Sequence, residues 1–535
     1  MELYLLRSAI VKSQSAIGLC LLIIGIWAAW QIGEMIVSNR MSTIAFTAFG
    51  FAACIVAVAI LRNWRRGSYL FIIWMLFEDL ARKYLGNNLV LFFAKDILLG
   101  LVLISLLVAV RSGREKLFRP TFLLPLAVFF WLGAIQMFNQ NSPNILYGLL
   151  GIKVYFYYVP LMFVGYALIR NDDDLREFLV LNVSLGGVIA SLGIVQAIVG
   201  HSFLNPRTLA PELAELGELD KVTPLSNQLF SLPSSVFVSN GRFANYLMLV
   251  FIFACGTAGY LLLHTLRSRK IVFISIAVVG VAIFFSGSRG AVLFTLLSAA
   301  ALTAGVLWGA PWRWRQAHRL IKAIRRSAIL GVAALVVALL LFPDEAGSRI
   351  AFYAETLLPG SQAYVVNNRG WDYPIANFLL AFDGPNWIFG NGIGTASLGT
   401  QYVAKVLHQP PLNIWVEEGF GVLIVEMGII APFLWIAWTA ALLVAAWKIV
   451  RELRETRFFP IAFAIFWYVF LLLFPLTYGS LASYQNYVGN AYLWLLVGIL
   501  FKLPVIRAKA PIYSRPVSHR KISHLKPLPV DMMHE

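Results

Sequence analysis

The chain has 535 residues, of which 59% are hydrophobic and only 13% are charged, with a mean hydropathy of +0.76. Soluble domains carry roughly a quarter charged residues, so composition excludes an ordinary soluble protein and points to an integral membrane one. The net charge of +17 does not indicate nucleic acid, because Lys and Arg cluster in short segments between apolar runs, as positive-inside sorting requires.

Apolar runs of helical span length recur from end to end. The first, Ala16–Val37, is too long for a signal-peptide core and reads as a membrane span. It is followed by Thr43–Leu61, Ser68–Leu85, Leu89–Val110, Thr121–Phe138, Leu146–Ile169 and Phe178–Val199. The second half adds Phe243–His264, Ile271–Phe285, Ala291–Trp308, Ala328–Phe342, Gly421–Trp447, Phe459–Thr477 and Tyr487–Leu503. The expectation is an all-α polytopic membrane protein of about 14 transmembrane helices, one transmembrane domain over residues 1–506. Charges inside the early spans (Glu78, Asp79, Arg82, Lys83, Lys95, Asp96, Lys153) are expected to pair internally or line a cavity.

Alternate connections are basic: Arg62–Arg66, Arg111–Arg119, Arg267–Lys270, Trp312–Arg326 and Lys448–Arg457. Most Lys and Arg thus fall on one side, which is cytoplasmic and holds both termini. Two long connections, 200–242 and 343–420, then face outward. The second is rich in Gly, Pro, Asn and aromatics and is expected to fold into short helices. The tail, 507–535, is Pro- and Lys-rich and reads as disordered, suited to touching anionic headgroups. Cys20, Cys54 and Cys255 sit in apolar runs and read as buried packing residues, without a disulfide framework or zinc site.

Among the ionisable residues, Asn171–Glu177 (NDDDLRE) contains a D-x-D spacing that could hold a metal. It directly precedes a helix, however, where acids favour the helix dipole, and the capping reading prevails. Arg289, in SGSRGAVL, reads either as a snorkelling arginine at a helix end or as a guanidinium aimed at phosphate oxygens. Arg242, in NGRFANYL, faces the same choice, and Arg369, in NNRGWDYP, could equally be a solvated loop residue. In HQPPLNIWVEEGFGVLIVEMGIIA, Glu417 and Glu418 suit a helix N-terminus. Glu426 falls inside the following apolar run, where a carboxylate needs a partner or a proton. Glu418 and Glu426 share a helical face, whereas Glu417 points elsewhere. His408, followed by two prolines, reads first as a loop residue. No phosphate-binding G-x-x-x-x-G-K-[ST] loop is present.

In their order and spacing these elements resemble the O-antigen ligase and polymerase superfamily of bacterial envelope glycosyltransferases. The likeness is clearest from Arg242 to Trp447. SGSRGAVL matches the family's arginine turn, FGNGIGTAS (Phe389–Ser397) resembles a glycine-rich stretch of the late loop, and VEMGIIA (Val425–Ala431) matches an E-x-G helix opening, with Ala431 replacing its final glycine. FEDLARKYLG with AKD (Phe77–Asp96) resembles exopolysaccharide polymerase-like members. The family places a P-H-N segment about nine residues before the E-x-G glutamate. Here that spacing puts Glu417 at the histidine position and Glu418 at the asparagine; His408 with Asn413 would need an insertion.

The resemblance implies a GT-C-like fold in the bacterial inner membrane and an inverting, metal-independent transfer without cofactor. Glycan passes from an undecaprenyl-diphosphate carrier to a glycan or lipid-linked acceptor at the periplasmic face, beside other envelope glycan-assembly proteins and with no nucleic acid. It assigns Arg289, Arg369 and Arg242 to the diphosphate, Glu417, Glu418 or His408 to the base, and Glu426 and Asn413 to support of the site. The departure at Glu417 favours a polymerase-like member. The competing reading is a transporter or flippase of lipid-linked oligosaccharide, whose intramembrane charges serve coupling.

Overall fold

A computed structural model describes residues 54–87, 89–200, 202–206, 220–264, 269–309, 314–413 and 415–509. The first expected span, most of the second, Cys20 and the tail beyond residue 509 lie outside the described residues. The described chain is helical apart from one two-stranded antiparallel hairpin, β1 (Asp220–Val222) with β2 (Leu229–Ser231), paired Lys221 to Phe230. Helices prevail because a chain in hydrocarbon must satisfy its backbone groups within each segment.

Among the described residues eight helices are long and apolar enough to cross a membrane, which makes the chain a multi-pass membrane protein. The expectation of 14 spans is therefore corrected. Three expected spans, Thr121–Phe138, Ile271–Phe285 and Ala328–Phe342, coincide with shorter apolar helical stretches, Leu123–Gln136, Lys270–Phe285 and Ile329–Leu341. A fourth, within α1 (Trp64–Leu85), carries Glu78, Asp79, Arg82 and Lys83 and does not qualify. Other spans are interrupted: α4 (Ile145–Phe156) stops before Pro160 and α5 (Leu161–Leu168) resumes after it.

The chain folds as two compact units. Among the described residues, one comprises 54–74 together with Phe93–Arg114; the other comprises Met75–Phe92 and the residues from Glu115 to Lys509. In the first unit, the helix over 54–62 meets the start of α1, where Gly67 admits the side chain of Ile60, and α2 (Leu89–Arg111) contributes its Phe93–Arg111 portion.

The second unit carries the remaining helices. α6 (Asp172–Val199) begins where the Asn171 side chain accepts the Asp174 N–H, and Asp172, Asp173 and Asp174 occupy its first turn, as the capping reading requires. Asp172 is further engaged by Arg457 at 2.9 Å and by the Tyr260 hydroxyl at 2.7 Å. α7 (Asn240–His264), α8 (Arg269–Phe285) and α9 (Arg289–Gly309) follow, then α10 (Trp314–Leu341). The segment 343–420 is built of short helices, as expected: α11 (Pro343–Leu357), a π turn (Asn368–Asp372), α12 (Tyr373–Leu380) and α13 (Thr400–Val406). α14 (Gly419–Met427), α15 (Ile430–Glu452), α16 (Phe459–Leu473), two short helices α17 (Pro475–Gly479) and α18 (Ala482–Gln485), and α19 (Tyr487–Lys509) complete it.

α19 and α5 cross closely because Gly165 lies on the Leu495 backbone and Gly498 on that of Met162, where any Cβ would collide. Small residues at such crossings let helices approach without a hydrophobic driving force. The core of the unit is aromatic, with Trp435, Trp438 and Trp494 fully buried around Tyr484. For the two described cysteines the expected burial does not hold, since Cys54 is exposed and Cys255 half-buried, both on helices.

Candidate functional site

The turn Ser286–Ser288 is fixed on several sides. Gly287 adopts φ +66°, a conformation glycine takes without a Cβ penalty. The Ser288 hydroxyl then accepts the Ala291 N–H and caps α9. The Asn240 amide donates to the Ser286 carbonyl at 2.8 Å and to the Pro233 carbonyl at 2.9 Å, so the starts of α7 and α9 adjoin. Arg349, buried, donates to the carbonyls of Phe285 and Ser231 and ties α11 to the turn and the hairpin. These bonds place the ring of Phe352 beneath Arg289, whose guanidinium lies 5.4 Å from its centroid.

Arg289 is half-buried, and the positive charge of Arg369 is near enough to act on it. Among the described residues neither arginine has a carboxylate partner. Arg369 stacks on Tyr373 at 4.4 Å. The Tyr373 hydroxyl donates to Glu417 Oε2 at 2.7 Å, and this bond raises the phenol above its ordinary range. The Glu417 N–H in turn donates at 2.6 Å to Asn377 on α12. Two of the residues singled out in the sequence, Arg369 and Glu417, are thus joined through Tyr373, and Arg289 is related to them only through the charge of Arg369. Sequence reasoning missed Tyr373, although it stands four residues after Arg369, the spacing of neighbours on a helical surface.

The other candidates are placed differently. Arg242 pairs with Asp79 at 2.9 Å, and Asp79 also binds Arg82 at 3.1 Å and accepts the Val238 N–H. Arg82 continues to the Tyr402 hydroxyl at 2.7 Å, and Lys83 donates to Ser234 and to the Ser235 carbonyl. The early charges from Glu78 to Lys83 therefore do pair internally. Glu418 is buried and caps α14, accepting from the N–H groups of Phe420 and Gly421; burial pushes its carboxyl up to about 7. His408 is exposed with φ +53°, and among the described residues no hydrogen bond joins its imidazole to Glu417.

Glu426 is fully buried and accepts from the Tyr155 hydroxyl, the Ser397 hydroxyl and the Ala396 N–H, each at 2.7–2.8 Å. Gln485 adds bonds to Ser397 and to the Leu398 N–H. The carboxylate thereby fastens the glycine-rich stretch Phe389–Ser397. Gly390 lies against the backbone of Glu426 and Gly428, and Gly394 against that of Tyr147 and Gly151, both at positive φ. Gly428, at φ +82°, ends α14, so the expected span Gly421–Trp447 is two helices.

Chemically, Arg289 and Arg369 are cations without a carboxylate partner among the described residues, and Glu417 is an exposed carboxylate bonded to the Tyr373 on which Arg369 stacks. No protein-family model matches the chain, and no curated protein matches it.

Proposed function

We propose that the protein is a membrane glycosyltransferase of the O-antigen ligase and polymerase kind. It transfers glycan from an undecaprenyl-diphosphate carrier to an acceptor hydroxyl at the outer face of a bacterial inner membrane. The observation that carries this reading is that Arg289 and Arg369 lie near enough for their charges to repel, while neither has a carboxylate partner among the described residues. Like charges held together in a fixed frame are stabilised when a dianion binds, and guanidinium geometry suits phosphate oxygens.

In this mechanism the acceptor oxygen attacks the anomeric carbon as its proton passes to Glu417. The bond from that carbon to the diphosphate oxygen breaks, and the electron pair leaves with the diphosphate. Arg289 and Arg369 stabilise the charge that develops there, in the manner of preorganised electrostatic sites. Direct displacement inverts the anomeric centre. A positioned carboxylate base contributes about 10²–10⁴-fold, and Tyr373 fixes its direction. Arg242, committed to Asp79, has a supporting place in this scheme.

The test is transfer by purified protein in detergent, supplied with undecaprenyl-diphosphate oligosaccharide and no membrane gradient. Product formed by the wild type and lost in Arg289→Ala supports the assignment. Movement of the lipid-linked oligosaccharide across vesicles, without product, would establish the transporter reading in its place.

A further inference from the structure

A second feature lies beside Glu417. A cavity of about 300 Å³ opens among the segment after α3 (Leu123–Gln136), the glycine-rich stretch and the segment before α14, and Asn141, Asn391, Thr395, Asn413, Trp415 and Val416 are among the residues that line it. Its volume is at the lower end of the ~300–1,000 Å³ usual for small-molecule sites. Among the described residues no Asp, Glu, Lys or Arg lines it, so its ligand is neutral, in contrast to the cationic pair.

The lining is mostly apolar with a few amides, the mixture that suits a sugar ring. Asn amides offer a donor and an acceptor together, which vicinal hydroxyls can engage at once. Trp415, 45% exposed, presents a flat apolar face of the sort on which the C–H face of a pyranose rests. Among the described residues the side-chain amide of Asn413 has no hydrogen-bond partner, and Asn141 uses only one side-chain N–H, toward the Gly390 carbonyl. The walls are nevertheless firm. Asn391 is held by Asn386 and the Val425 carbonyl, and Ala396 by Glu426. Val416, on the cavity wall, is followed directly by Glu417.

We infer that this cavity binds a neutral saccharide unit and brings one of its hydroxyls to Glu417, making it the acceptor subsite. The inference rests on the reading of Glu417 as the base. It assigns a place to Asn413 and adds Asn141 and Trp415 as specificity-determining residues.

The experiment uses the full chain in nanodiscs with two probes. Methyl glycosides of glucose, galactose, rhamnose and N-acetylglucosamine are followed by saturation-transfer NMR, and inorganic pyrophosphate by ³¹P line broadening. At least one glycoside is expected to bind. Its affinity should fall at least fivefold in Asn413→Ala and Trp415→Ala, be largely kept in Trp415→Phe, and pyrophosphate binding should persist in all three. Absence of glycoside binding to the wild type, or binding indifferent to Asn413→Ala and Trp415→Ala, overturns the subsite while pyrophosphate binding leaves the arginine pair standing. Glycosides bound through Asn413 with pyrophosphate ignored would support the cavity and sink the diphosphate reading.

Discussion

At the scale of single residues, the planar fork of guanidinium separates the expected outcomes at positions 289 and 369. Arg289→Ala and Arg369→Ala should each lower transfer by about 10²-fold or more, the loss typical of removing one preorganised donor. Lys at either position should recover only part, because an ammonium is a point charge without the bidentate edge. Initial rates with a lipid-linked donor check this; full activity in Arg369→Ala would remove that residue from the site. Glu418 makes a different prediction. Its folded carboxyl titrates at about 7 against an ordinary 4.5, so the folded state holds the proton more tightly than the unfolded chain does. The stabilisation is complete below about 4.5 and is lost as pH rises through 7, with a slope of up to about 1.4 kcal/mol per pH unit between. Glu418→Gln should flatten the dependence of the melting temperature on pH from 5 to 8, since Gln does not titrate there while its oxygen still serves one of the Phe420 and Gly421 N–H groups. At this scale the sequence was informative about which ionisable side chains matter and silent about their partners. Arg289 stands out in a Gly-Ser turn, but that a phenol links Arg369 to Glu417 depends on how 369–377 winds.

At the scale of elements, the glycine-rich stretch and α14 behave as one piece because Glu426 joins them. Removing its carboxylate strands the Tyr155 and Ser397 hydroxyls and the Ala396 N–H in a buried place, and each unsatisfied group costs about 1–3 kcal/mol. Glu426→Ala should therefore destabilise by several kcal/mol and open 389–399 to protease, whereas Glu426→Gln, which retains an acceptor, should do less. Thermal unfolding and limited proteolysis read both effects; an unaltered cleavage pattern in Glu426→Ala would contradict the clamp. Hydropathy placed most of the helices correctly, because apolar length is a property of consecutive residues. It did not detect the break at Gly428, where the helix ends because the backbone of Ile388 and Phe389 leaves no room for a Cβ. A contact distant in sequence decides that boundary, and no local pattern encodes it. For the same reason Glu426 read as a carboxylate within a span, when it sits at the end of a short helix with its partners supplied by two other elements.

At the scale of the larger unit, the ion cluster around Asp79 gathers segments that are far apart in the chain. Its carboxylate is fully buried and serves Arg82, Arg242 and the Val238 N–H, while Arg82 reaches on to Tyr402. Such pairs contribute little against an apolar replacement of the whole group, but breaking one partner out leaves charge stranded, at about 3–5 kcal/mol. Asp79→Ala leaves Arg242 without a carboxylate and Arg82 with only Glu78, at 4.0 Å, and should be the most destabilising change in the cluster. Arg242→Ala removes a side chain that is 26% exposed, leaves Asp79 still paired with Arg82 and should cost less. The double variant Asp79→Ala with Arg242→Ala should then be less destabilised than the two single losses summed, because the second change removes one of the charges that the first left unpaired. Melting temperatures of the four proteins in detergent give this coupling directly. Strict additivity would mean that the Asp79–Arg242 contact carries no energy, and α7 would then be positioned only by its packing and by the Asn240 bonds. A coupling of about 1 kcal/mol or more would make Arg242 a residue that holds the start of α7, and with it the Ser286–Ser288 turn, in register for Arg289.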